Sequence, residues 1–169
     1  MTTMSQTNPP ADAATLNSQG MQALRAGSFA VAEQLFLQAA TLDPAASALW
    51  RNVATARRAQ ANDAGEIAAL DAAINADRRD FMAWLRKAET HQRCGDNALA
   101  LEAWQAVLQL AAQAGELPHD LAVVIEGGRS FVSQSMAQIA DTVEAEIAPL
   151  DTQLNETERR RTRAFIDRA

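Results

Sequence analysis

One pentapeptide fixes most of what this chain can become. Ala48-Leu49-Trp50-Arg51-Asn52 returns as Ala83-Trp84-Leu85-Arg86-Lys87, with the second tryptophan 34 residues after the first. A period of this length marks a supersecondary unit that cannot bury its apolar face alone and must stack on copies of itself. Laid backwards, the period puts Leu16 at the tryptophan position, Gly20 four residues later, Ala32 and Phe36 in the second half and Pro44 near the end. Three repeats follow, 13–46, 47–80 and 81–114, and with them about six helices.

Composition agrees with an all-α chain. Alanine is frequent, tyrosine is absent, and no run alternates apolar and polar residues as a half-buried strand would. A 48% apolar content suffices for a core. The net charge of −6 offers no overall footprint for nucleic acid or anionic lipid, so neither is expected as a partner. Cys94 is the single cysteine, which excludes an intrachain disulfide and any thiolate metal cage within one chain. A reducing, cytoplasmic setting is expected, because no secretory signal pattern opens the chain and no apolar run reaches membrane-spanning length.

Taken in order, residues 1–11 form a polar leader expected to be disordered. Asp12 is placed to cap a first helix whose inward face runs Leu16, Gln19, Gly20 and Ala23; Gly27 breaks it. Phe29 opens a second helix presenting Ala32, Phe36, Ala39 and Ala40, and Asp43-Pro44 ends it. The second repeat keeps Trp50, Val53, Ala54, Leu70, Ala73 and Ile74 but is degenerate, with Glu66 at a small-residue position and Arg78 at the proline position. The third restores Trp84, Ala88, Gly95, Ala100, Trp104, Val107 and Leu108. After Pro118 the stripe Leu121, Ile125, Gly128, Val132, Ser135, Ile139, Val143, Ile147 predicts a long capping helix over 118–150, kinked or divided near Gly127-Gly128 and ended by Pro149. A separate arginine-rich helix is expected over 155–169, capped by Asn155 and carrying Arg159 to Arg161, Arg163, Phe165 and Ile166.

Little in this pattern carries chemistry. His91 and His119 share no metal-ligand spacing, His91 reads as a buried packing residue, and Cys94 reads as a small buried filler without a base beside it. Gly127-Gly128-Arg129-Ser130 lacks the spacing of a phosphate loop and reads as helix packing. No catalytic residue and no cofactor is expected.

Over residues 13–114 the chain resembles the tetratricopeptide repeat family, on Gly20, Ala32, Phe36, Pro44, Trp50, Trp84, Gly95, Ala100 and Trp104. The resemblance implies a right-handed superhelix that binds protein or peptide partners and has no chemistry of its own. In such arrays the first helix of each repeat lines a concave groove. Counting repeat positions gives Asn17, Met21, Leu24 and Arg25 from the first repeat and Arg51, Asn52, Thr55 and Arg58 from the second. The third gives Met82, Leu85, Arg86, Glu89, Gln92 and Arg93. Five arginines against one glutamate predict a basic lining suited to an acidic segment. Some family members grip a partner's terminal carboxylate with two lysines, two asparagines and an arginine. Asn52 and Arg86 match two of those positions, while Asn17, Met21 and Met82 depart from it.

The C-terminal third is similar to the N-terminal arm of bacterial aspartyl/asparaginyl β-hydroxylase-like proteins, on Glu116-Leu117-Pro118, the long helix through Arg129 and Val132, and the ending Phe165-Ile166-Asp167. That likeness implies an iron(II)- and 2-oxoglutarate-dependent domain following such an arm. The sequence here carries neither its iron-binding histidines nor a strand-rich segment. Two expectations therefore stand side by side: a non-catalytic interaction module, and the arm of an oxygenase whose catalytic domain lies outside this chain.

Overall fold

The computed structural model describes residues 12–115 and 117–166, with 150–154, 159 and 162–166 described by backbone alone. The expected leader, Glu116 and the residues from Asp167 onward lie outside the described residues. Among the described residues there are seven helices and no strand: α1 (Ala13–Arg25), α2 (Phe29–Leu42), α3 (Ser47–Ala59), α4 (Asp63–Ala76), α5 (Phe81–Cys94), α6 (Asn97–Ala114) and α7 (His119–Ile166). Each helix packs on the one before and the one after it in sequence. The result is a row of helical hairpins.

Local chemistry places the helix ends. Asp12, Asn62 and Asp80 accept the Thr15, Gly65 and Ala83 N–H groups at 2.7, 2.9 and 3.0 Å, each satisfying one free donor of a helix start. The Thr15 side-chain and then backbone hydrogen bonds hold the Asp12 carboxyl below its ordinary value. Between the helices of each hairpin the backbone passes through the left-handed region at Gly27 (φ 76°), Ala61 (φ 55°) and Gly95 (φ 81°), the same place in three successive repeats. Only the second repeat puts a side chain there, where a Cβ crowds the following carbonyl.

Buried residues form three clusters in a row, bridged by the half-buried Trp50 and Trp84. Leu16, Ala39, Ala40 and Leu49 join the first repeat to the second. Ala32, Phe36, Val53, Ala54, Leu70 and Ala73 fill the middle, and Leu85, Ala88, Trp104, Val107 and Ile125 join the third repeat to α7. A Cβ on Gly20 would lie 2.6 Å from the Phe36 ring, so the first hairpin closes only around a glycine. Gln19, expected inward, is exposed, being on the flank of α1 rather than under α2. Trp50 and Trp84 are half-buried, and their indole N–H groups donate to the carbonyls of Pro44 and Arg78 at 3.1 and 3.0 Å. Since the acceptor is backbone, arginine at 78 serves this junction as proline does at 44.

The long helix differs from expectation in three ways. It runs unbroken through Gly127 and Gly128; a Cβ on Gly128 would come within 2.3 Å of the Trp104 ring, so the missing side chain seats α7 on the indole. It also runs through Pro149, so of the terminal helix expected over 155–169 the described part, 155–166, is the continuation of α7, and Asn155 stands inside it rather than at a cap. Proline removes one donor and strains one turn, at about 3 kcal/mol. Good helix formers on both sides, Ala145 and Glu146 before it and Leu150 after it, carry the helix across that single defect. Finally, the capping stripe is buried only at its start. Ile125 and Gly128 are buried and Leu121, Phe131 and Val132 half-buried, whereas Ile139, Val143 and Ile147 remain about half exposed.

Candidate functional site: the polar face of the first helices

α1, α3 and α5, the first helices of the three repeats, are joined by a ladder of side-chain hydrogen bonds along one face. Asn52 donates to Asn17 Oδ1 at 2.7 Å. One rung on, Arg86 donates to the Arg51 carbonyl at 3.2 Å and to Thr55 Oγ1 at 2.8 Å. Its other nitrogen donates to Glu66 Oε1 at 3.1 Å. Arg93 closes the row, donating to Glu66 Oε2 at 2.8 Å and to Asp63 Oδ1 at 2.6 Å.

Glu66 is the centre of this arrangement and has no exposed surface. It holds the position filled by the buried alanines Ala32 and Ala100 in the other repeats. A carboxylate taken wholly out of water persists only when charged donors replace its hydration, which Arg86 and Arg93 do here. Its place in the first turn of α4, where the backbone dipole favours negative charge, adds to this. Arg58 lies further off, with Nη1 3.9 Å from Glu66 Oε1.

The expected groove residues divide accordingly. Arg86 and Arg93 are turned onto Glu66, and Arg51 Nε lies 2.9 Å from Asp80 Oδ2, a contact without hydrogen-bond alignment. Arg25 and Arg58 are exposed, and so are Met82 and Gln92. Asn17, Met21, Asn52, Thr55 and Glu89 are half-buried. Met21 and Leu24 pack against the central core, and Leu85 is buried with Trp104 and Ile125 rather than lining a surface. Gln92 accepts from Trp104 Nε1 at 2.8 Å, tying the third repeat's first helix to its second. Sequence spacing named these arginines and missed the carboxylates they meet, Glu66, Asp63 and Asp80. The signal was present in Glu66 itself, an acid at a position that must be buried.

Outside the ladder, Glu33 bridges α2 to Arg57 (2.7 Å) and Gln60 (2.8 Å). Burial pushes its carboxyl up, but those bonds outweigh it and hold it below its ordinary value. His91 is buried with Nδ1 3.5 Å from Asp96 Oδ2, and His119 is exposed at the start of α7. Cys94, expected as a buried filler, is exposed at the last position of α5, where the helix ends at Gly95. Lost solvation and then the Asp63 carboxylate push its thiol up, away from the thiolate. Among the described residues no three His, Cys, Asp or Glu side chains converge as metal ligands, and no helix is long and apolar enough to cross a membrane.

No protein-family model and no curated protein matches the chain. Solved structures do. The Sgt2 TPR domain from Aspergillus fumigatus superposes with a TM-score of 0.61 at 19% identity, over 74% of this chain and 82% of that one. The first TPR of Spaghetti (RPAP3) bound to the HSP90 peptide SRMEEVD gives 0.60 at 19% identity, over 75% and 96%. The Yersinia enterocolitica type III secretion chaperone SycD in complex with a peptide of the translocator YopD gives 0.62 at 15% identity, over 74% and 92%. The fold is therefore a tetratricopeptide-type α-solenoid of helix-turn-helix repeats. The likeness to an oxygenase arm is not among the things these matches show.

Proposed function

We propose that this chain is a non-catalytic interaction module that holds a segment of a partner protein along the face made by α1, α3 and α5. The observation that carries this is the ladder from Asn17 to Arg93: successive first helices are locked side by side, so one polar surface runs the length of the array without rearrangement on binding. Similar domains have been solved with peptides bound, which supports a segment rather than a small molecule as the ligand. The lining is Asn17, Met21, Arg25, Arg51, Asn52, Thr55, Arg58, Met82, Arg86, Glu89 and Arg93. Within it the division of labour follows which guanidiniums are already in close contact with a carboxylate. Arg51, Arg86 and Arg93 lie within 3.1 Å of one and fix the shape, while Arg25 and Arg58, exposed and more loosely held, select an acidic segment.

An acidic peptide titrated against the purified chain tests this. Replacing Arg25 and Arg58 with glutamine is expected to weaken binding severalfold and flatten its salt dependence, since exposed charges act over only about 8 Å at physiological ionic strength. Replacing Arg160 and Arg161 on α7 removes the same charge away from the face and is expected to leave binding unchanged. Equal losses from the two pairs would overturn the proposal.

A further inference from the structure

α7 outruns the helix it packs on. Asn97 and Ala98, the first residues of α6, share a cleft with Thr142 and Val143, so the helix beyond that level has no part of α6 beside it. From Val143 to Ile166 it extends roughly 35 Å. Met136, Ile139, Val143 and Ile147 lie three or four residues apart, which sets them on one stripe, and each is close to half exposed. Along one edge of that stripe Ile139 and Val143 also line the cleft against Ala98 and Leu101, an apolar hollow of about 330 Å³. Apolar residues in this number and register on a soluble helix mark a surface made to be covered.

Charge identifies the cover. Between Arg129 and Arg159 the chain has no lysine, arginine or histidine and six acidic residues. Helical spacing sets Glu144 on one flank of the stripe and Glu146 on the other, both exposed. A segment that fills the apolar centre must therefore present cations along both its edges, which is the pattern of a basic amphipathic helix laid in a groove. The same stripe of a second copy of this chain would bring acids and no cation to those edges. We infer that the outer face of α7, with the cleft at the start of α6, docks a basic amphipathic helix of a partner protein, at a site separate from the α1, α3, α5 face.

Two synthetic peptides of identical composition test the inference: lysines with leucines at three- and four-residue spacing, and the same residues scrambled. Fluorescence anisotropy should show binding of the first alone, weakened by salt. Ile139→Asp should raise its Kd about tenfold or more, the loss of one apolar contact plus a charge set in an apolar site. Should that variant unfold, Ile147→Asp, beyond the end of α6, reads the stripe without disturbing the cleft and should weaken binding likewise. The double variant Glu144→Gln, Glu146→Gln should flatten the salt dependence, and Arg25→Gln with Arg58→Gln should change nothing. Equal binding of the two peptides, or a loss confined to the Arg25 and Arg58 variant, would overturn it. So would a concentration-dependent dimer in sedimentation equilibrium that Ile147→Asp abolishes, because the second copy would then be the cover.

Discussion

At the scale of single residues, the second repeat is held together by compensation. Arg86 sits on a carboxylate with no access to water, which Arg93 also holds, so Arg86→Met is expected to cost about 1–3 kcal/mol in denaturant unfolding, as leaving a buried acceptor short of one charged donor does. Glu66→Ala added to it restores the small residue of the other repeats and should recover most of that loss, although it removes a second charged group. If the double variant is less stable than the single one, Glu66 is not the cause. Ala61 offers the opposite sign: its φ of 55° suits glycine, which the other two repeats have there. Ala61→Gly is expected to stabilise the chain by about 1 kcal/mol, the relief of a left-handed Cβ less the entropy glycine adds to the unfolded chain. An unchanged or lower midpoint would show that the strain is relieved elsewhere. Both features were written in the sequence as departures from the period. The period exposed Glu66 as an acid where alanine belongs, but which guanidinium answers it depends on how far α4 and α5 approach, and spacing along one helix is silent on that.

At the scale of elements, the hairpins were legible because each is made by contacts within a few tens of residues and punctuated by Gly27, Pro44 and Gly95. The end of α7 was not. Pro149 is a strong local signal, yet a helix ends only when its continuation costs more than stopping, and no glycine cap or turn sequence follows to offer the alternative. What Gly128 does was legible only in part, as packing; its partner, the Trp104 ring, comes from another helix. Gly128→Ala is expected to lift α7 off that ring and cost about 1–3 kcal/mol, the range for overpacking a tight contact, despite alanine's better helix propensity. Gly127→Ala, with nothing within 4 Å of its Cβ, should instead stabilise the helix. Urea midpoints of the two variants moving in the same direction would contradict this account.

At the scale of the whole molecule, packing is almost one-dimensional: helices touch their neighbours in sequence, so the chain has no single centre whose loss unfolds everything at once. Each tryptophan marks a different station along that line. The indole N–H of Trp50 is tied to the Pro44 carbonyl between the first and second repeats, that of Trp84 to Arg78 between the second and third, and that of Trp104 to Gln92 beneath α7. Three indole protons, each bonded at its own station, give the chain three reporters of its own fraying. Solvent exchange should be slowest at Trp84, which has two repeats on one side and the third repeat with α7 on the other, and faster at Trp50 and Trp104, nearer the two ends. One common rate at all three would mean that the array opens as a single cooperative unit.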